Sequence, residues 1–363
     1  MKVVVVGAGY AGTIAANRLA KKLDDVDITV VNPRPDFVER VRLHEQIAGS
    51  GAATTPLNMM LRNAIRTQVG MVDKICRGSV ILADSTTIDY DRMILAVGST
   101  VRPLPGSIPV GTWEGAQQAQ AALARLSAGD VVTVIGGGLT GVETASEVAA
   151  ARPDLTVRLI GDRVAPTLTS GGQKRVRKGL QRLNVEIAED AVTHIEFGEN
   201  ACDLVFLRSG GALASSLTLW AIMGTIPDLA ARSGLRVNPQ GRVIVDEYLR
   251  SVDDPDIFAV GDCAAVPGAR LCCATASPQG AHAADTLARM ANGREPKPYS
   301  MGYTGQALSL GRRDGVIEAS RRDGTAQRLR VSGRMGAVAK EQVSRYAKFG
   351  SRTATYGWLS GPK

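Results

Sequence analysis

Two glycine clusters carry the most specific chemistry in this chain. Gly7-Ala8-Gly9-Tyr10-Ala11-Gly12 and Gly136-Gly137-Gly138-Leu139-Thr140-Gly141 both read G-x-G-x-x-G. In such a loop the first glycine permits a tight turn and the second lets a pyrophosphate approach the backbone. The third lets the following helix pack close to a strand. The helix start then offers unpaired N–H groups and a partial positive charge to phosphate oxygens. A single copy is weak evidence, because glycine-rich turns are common, whereas two copies in one chain are much stronger. Glu143 lies just inside the second helix, as either a first-turn acid that stabilises the helix dipole or a functional acid. Gly98 ends a small-residue turn, and Gly261-Asp262 ends a short apolar run. The histidines His44, His194 and His282 are far apart in sequence, and no triad or metal cluster emerges. The five cysteines contain no C-x-x-C. Vicinal Cys272-Cys273 reads as two small packed thiols, with a redox role as the alternative.

The elements that must position these residues follow from the apolar pattern. Val3–Val6 and Val131–Ile135 are buried-strand runs, each entering a glycine loop. Helical runs follow at Thr13–Leu23 and Val142–Ala151, then strands at Asp27–Val31 and Thr156–Ile160. That is one βαβ unit written twice. Further strands are expected at Asp91–Ser99, Leu217–Gly224 and Asp256–Asp262, and a helix at Gly280–Met290. Arg312–Lys340, rich in charge and glycine, suits a short antiparallel sheet.

Composition bounds the class. The 363 residues are 44% hydrophobic and 21% charged, which fits a globular chain of two or three domains. No apolar run approaches the roughly 20 residues a bilayer span requires. The short start before Gly7 does not suit a secretory signal, so a cytoplasmic location is expected. The net charge is +8, and residues 311–363 hold 12 basic and 4 acidic residues, which is the whole excess. Such a patch suits an acidic protein, an anionic membrane surface, a phosphorylated ligand or plain solvent. Aromatic residues are only 4%, so single-stranded nucleic acid is not an expected partner.

With these pieces in order, the sequence resembles the two-dinucleotide-binding-domain flavoproteins. It is most similar to the branch of type II NADH dehydrogenases, apoptosis-inducing factor and the ferroptosis-suppressor quinone reductases. The resemblance covers nearly the whole chain. It rests on GAGYAG at 7–12, ILAVGS at 94–99, GGGLTGVE at 136–143, IFAVGDCA at 257–264 and SLGRRDGVI at 309–317. It implies an α/β fold with two Rossmann-like domains, the NAD(P)-binding one inserted in the FAD-binding one, and a small C-terminal α+β domain. The implied boundaries are 1–106 and 236–295 for the FAD domain, 107–235 for the NAD(P) domain and 296–363 for the C-terminal interface domain. Gly7, Gly9, Gly12, Asn32, Arg42, Gly98, Gly261 and Asp262 would then hold FAD. Gly136, Gly138, Gly141 and Arg163 would hold NADH or NADPH. Glu143 would lie near flavin and nicotinamide, and Gln279 and His282 would border the acceptor site. His282 also has a plain helix-packing reading. The implied activity is hydride transfer from NAD(P)H to flavin N5, then electron transfer to a quinone-like small molecule.

The sequence departs from the family in several places. The ribose-binding acid expected 20 residues after the third glycine is Asn32 in the first unit and Gly161 in the second. Arg163 nearby leaves NADPH as well as NADH open. The segment around His44 lacks the C-x-x-x-x-C of the disulfide reductases, so electrons should leave the flavin directly. Only Gln279 of an expected pair of glutamines is found, and no membrane-docking helices are evident after Lys340. The tail reads as free, as a subunit contact in a homodimer, or as a weak peripheral membrane contact. Alternatives to quinone reduction are a ferredoxin- or rubredoxin-type reductase, a specialised-metabolite flavoenzyme and a non-catalytic nucleotide sensor.

Overall fold

The computed structural model describes residues 1–198 and 202–362. Two five-stranded parallel sheets dominate it. The first runs in the order Ile257–Ala259, Arg92–Leu95, Lys2–Val6, Asp27–Asn32, Ile65–Val69. The second runs Ile108–Pro109, Leu217–Trp220, Val131–Ile135, Thr156–Ile160, Glu186–Ala188. All strands of the second sheet fall in sequence between two strands of the first. The second Rossmann-like unit is therefore inserted in the first.

The central strands read as continuous valine and isoleucine runs because helices cover both of their faces. Val3, Val4, Val5 and Val6 are each at most 3% exposed. At roughly 1.5–3 kcal/mol per buried side chain, that strand alone fixes the centre of its sheet. Helix α1 (Tyr10–Lys22) packs on it through Ala15, Ala16 and Leu19. Helices α2 (Leu43–Ala48), α3 (Trp113–Leu123) and α4 (Leu139–Ala151) share a second core with Val132, Val134 and Leu219. That core also takes in Leu308, Leu310 and Val316, which tie the C-terminal unit to the inserted one. Helix α5 (Ser170–Arg182) adds Val176 and Leu180 to it.

Both βαβ units match the sequence pattern closely. The later helices differ. Helix α6 spans Cys273–Ala291, beginning seven residues before the expected start at Gly280 and carrying Pro278 inside it. Pro278 lies in the second turn, where the proline signal hides the helix start from the sequence. A Cβ at Gly280 would lie 2.1 Å from the Ala11 carbonyl oxygen, so a missing side chain lets α6 and α1 touch.

The C-terminal unit begins as an antiparallel sheet of Gly305–Ser309, Gly315–Ser320 and Ala326–Ser332. The expected sheet does not continue to Lys340. Gly333, at φ +77°, turns the chain, and helix α7 (Arg334–Thr353) follows for 20 residues. Glycines in this helix obscure it in the sequence, yet Gly336 and Gly350 are buried where a side chain would collide with Gly315 and Tyr356. Among the described residues no helix is long and apolar enough to cross a membrane.

Candidate dinucleotide and redox site

The carboxyl ends of both parallel sheets open on one continuous cleft of about 2150 Å³. This is where open α/β sheets bind ligands. Both glycine loops line it and repeat the same geometry. Gly7 and Gly136 take φ +100° and +128°, a region closed to most side chains. Gly12 and Gly141 sit so close to those first glycines that a Cβ would fall 1.9 Å and 1.7 Å from their carbonyl oxygens. Gly9 and Gly138 differ, because a Cβ there would meet nothing within 4 Å. The middle glycine is thus not required by the protein's own packing. Gly9 and Gly138 are also the N-caps of α1 and α4, and neither has a side-chain cap. Two free helix starts facing open space fit two diphosphates.

Asp262 and Gly98 line the cleft beside the first loop. The Asp262 carboxylate accepts a 2.6 Å hydrogen bond from Ser99 Oγ and lies 3.7 Å from Arg40. Arg40 is fixed by the carbonyls of Ser99 and Gly111. Arg42 corrects an expectation. It is absent from the cleft wall, and its guanidinium is consumed by Glu39, Glu45 and Glu341. Burial works against its charge, but these three carboxylates hold its pKa above the ordinary arginine value. The cleft-facing arginine of this segment is Arg40.

Asn32 lines the cleft, yet both ends of its amide are engaged. Its Oδ1 accepts from the Ala8 N–H at 3.0 Å and its Nδ2 donates to the Arg34 carbonyl at 2.7 Å. It therefore braces the first glycine loop. In the second unit, a Cβ at Gly161 would lie 2.4 Å from the Gly137 nitrogen. Close packing on the loop thus excludes an acid at that position. Asp162 follows, paired with Arg208, and both Asp162 and Arg163 line the cleft.

The most unusual chemistry lies where the three units meet. Glu143 is 7% exposed and lines the cleft. It accepts from the Ser309 N–H at 3.0 Å and sits 2.9 Å from Lys340 Nζ. Ser309 Oγ lies 3.3 Å from His44 Nε2. Burial pushes the Glu143 carboxyl up. Lys340, His44 and the Ser309 N–H outweigh it and hold the group below its ordinary value. Burial pulls the His44 imidazole down. Lys340 was not foreseen from sequence: it is distant from every motif, and only α7 carries it to the site.

Gln279 and His282 lie behind the cleft wall and do not line it. Gln279 Oε1 accepts the Gly261 N–H at 2.7 Å, holding the loop that presents Asp262. His282 packs edge-on to Tyr299, and its Nε2 is buried with no hydrogen-bond partner among the described residues. His194 stacks on Phe206 away from the cleft. Cys272 and Cys273 both line the cleft, and burial raises both thiols, so neither is a ready thiolate.

The family model described as pyridine nucleotide-disulphide oxidoreductase matches residues 1–287. The chain belongs to that family. A NADH dehydrogenase-like protein of Mycobacterium tuberculosis is 31% identical over 296 residues, covering 73% of each chain. Human ferroptosis suppressor protein 1 is 27% identical over 349 residues, covering 88% of this chain and 89% of its own. The sulfide:quinone oxidoreductase of Aquifex aeolicus superposes with a TM-score of 0.81 at 18% identity, covering 98% of this chain and 92% of that one. The last likeness concerns the fold. Oxidoreductase chemistry with FAD and a nicotinamide dinucleotide follows from family membership, and the cleft's two free helix starts fit both groups.

Proposed function

We propose that this chain is an FAD-dependent NAD(P)H oxidoreductase that passes electrons to a quinone-like small molecule. The observation that carries this reading is the buried Glu143–Lys340 pair on the wall of a cleft shared by both glycine loops. The Gly7 loop with Asp262 would hold FAD, and the Gly136 loop with Arg163 would hold the nicotinamide nucleotide. Bound flavin supplies hydride acceptance from a nicotinamide and electron donation to an acceptor. The residues position both partners and manage charge. Asp262, oriented by Ser99 and by Gln279 through Gly261, would take ribityl or ribose hydroxyls as an acceptor. Lys340 would hold a proton at Nζ and steady negative charge as it develops on the acceptor, with Glu143 keeping that ammonium in place. Val343, Tyr346, Tyr303 and Tyr356 line the cleft and offer flat, mostly apolar contacts to a ring.

NADPH use is part of this reading. Gly161 carries no carboxylate at the expected position, and Arg163 lines the cleft beside Asp162, which pairs with Arg208.

A second reading has its own support. The basic excess of residues 311–363 suits an acidic iron–sulfur protein as acceptor. Anaerobic mixing of the NADH-reduced protein with quinones and with a ferredoxin separates the two. Fast quinone reduction that is insensitive to salt supports the first reading. Ferredoxin reduction that collapses as salt rises, with slow quinone turnover, replaces it with the second.

A further inference from the structure

A second cavity, of about 490 Å³, lies beside the main cleft. It falls within the size range of small-molecule sites. It runs between α7 and the hairpin that joins Gly305–Ser309 to Gly315–Ser320. The two elements are pressed together there, since a Cβ at Gly336 would lie 2.3 Å from the Gly315 carbonyl oxygen. That contact brings Arg312 and Arg313 of the hairpin and Arg334 of the helix to the rim of one concavity. Its carboxylates are already committed. Glu45 is paired with Arg42 and Arg312, and Glu341 with Arg42 and Arg345. Arg313 and Arg334 have no ion-pair or hydrogen-bond partner among the described residues. Two exposed arginines from separate elements therefore stand at the rim of one cavity with no partner of their own, and a bound anion would engage them. Gly311, Ala337 and Val338 give the same cavity an apolar wall.

We propose that this cavity is a second ligand site, for a small organic anion: a phosphate monoester or carboxylate on a short apolar body. Arg313 and Arg334 would take the anion by charge-assisted hydrogen bonds, and Val338 would cover the apolar part. Lys340 lines this cavity as well as the cleft, so the ligand would sit on the other side of the Glu143–Lys340 pair from the dinucleotides. The assignment does not depend on the identity of the electron acceptor.

Calorimetric titration of the full-length, FAD-loaded protein with phenyl phosphate tests it. The predicted result is one saturable site whose affinity is unchanged by saturating NAD⁺. Phenol, the neutral counterpart, should bind at least about tenfold more weakly, and so should phenyl phosphate to the Arg313→Gln/Arg334→Gln variant. That variant should keep its flavin content and its rate of reduction by NADH. Absence of saturable binding up to about 5 mM would overturn the proposal. Displacement by NAD⁺, or equal affinity for the double variant, would overturn it too.

Discussion

At the residue scale, the two middle glycines separate the roles of the two loops. A side chain at Gly9 or Gly138 meets only open cleft, so substitution there tests ligand binding and spares folding. Gly9→Val should yield a folded protein that retains little flavin. Gly138→Val should retain flavin and show at least about a tenfold higher KM for the nicotinamide nucleotide. Flavin content and steady-state kinetics read the two outcomes, and equal damage to both functions would contradict the division. Lys340 supports a pH prediction. Glu143 is held low because Lys340, His44 and Ser309 overcome its burial. In Lys340→Met the largest of these opposing influences is lost, and the carboxyl should titrate higher than in the wild type. The pH profile of flavin reduction should then show an acid limb displaced to higher pH than in the wild type. Arg163→Gln should raise the KM for NADPH about tenfold more than that for NADH, as loss of one charged phosphate contact implies. Equal changes for both nucleotides would place Arg163 away from the 2′-phosphate.

At the element scale, α7 closes the site, and its ion pair to the Arg40–Arg42 turn before α2 should matter to stability. Glu341 bridges Arg42 and Arg345, and its hydrogen bond to Arg42 holds its carboxyl down at about 2. A depressed carboxylate contributes stability that is fully present above its unfolded pKa of about 4.3. That stability is lost as pH falls toward 2. Glu341→Gln should therefore lower Tm by about 1–3 °C at neutral pH, with the difference from wild type disappearing near pH 2. A constant difference across that window in thermal melts would contradict the linkage. The elements also show what the sequence discloses. The βαβ units were legible because their strands are buried on both faces and their loops are constrained to glycine by backbone contacts under 2 Å. Helix α7 was not, because Gly336 and Gly350 answer to tertiary contacts that local propensity does not record. Arg40 and Arg42 are two residues apart in a short turn, and only the packing of α7 on that turn decides which one faces the cleft. Lys340 joins Glu143 from across the chain, a pairing that neither spacing nor periodicity encodes.

At the scale of the whole molecule, three units contribute to one cleft. The first sheet presents the Gly7 loop and Asp262, the inserted sheet presents the Gly136 loop and Glu143, and the C-terminal unit supplies Lys340 to the wall and Ser309 to hold Glu143 from behind. Leu308, Leu310 and Val316 share a core with Val134 and Val148, which fixes the third unit against the inserted one. The Glu143–Lys340 pair is thus assembled by tertiary packing, while each glycine loop is complete within its own βαβ unit. Flavin retention should accordingly survive changes at Lys340, whereas turnover should not. The central claim is that electrons pass from a nicotinamide bound at the second loop to a flavin bound at the first. Anaerobic mixing of the FAD-loaded protein with NADH and with NADPH, followed at the flavin band near about 450 nm, tests it most directly. The account predicts that the band bleaches with at least one of the two nucleotides, and that Gly138→Val slows the bleaching while leaving the initial flavin absorbance intact. A protein that takes up no FAD, or that binds FAD which neither nucleotide bleaches, would contradict it.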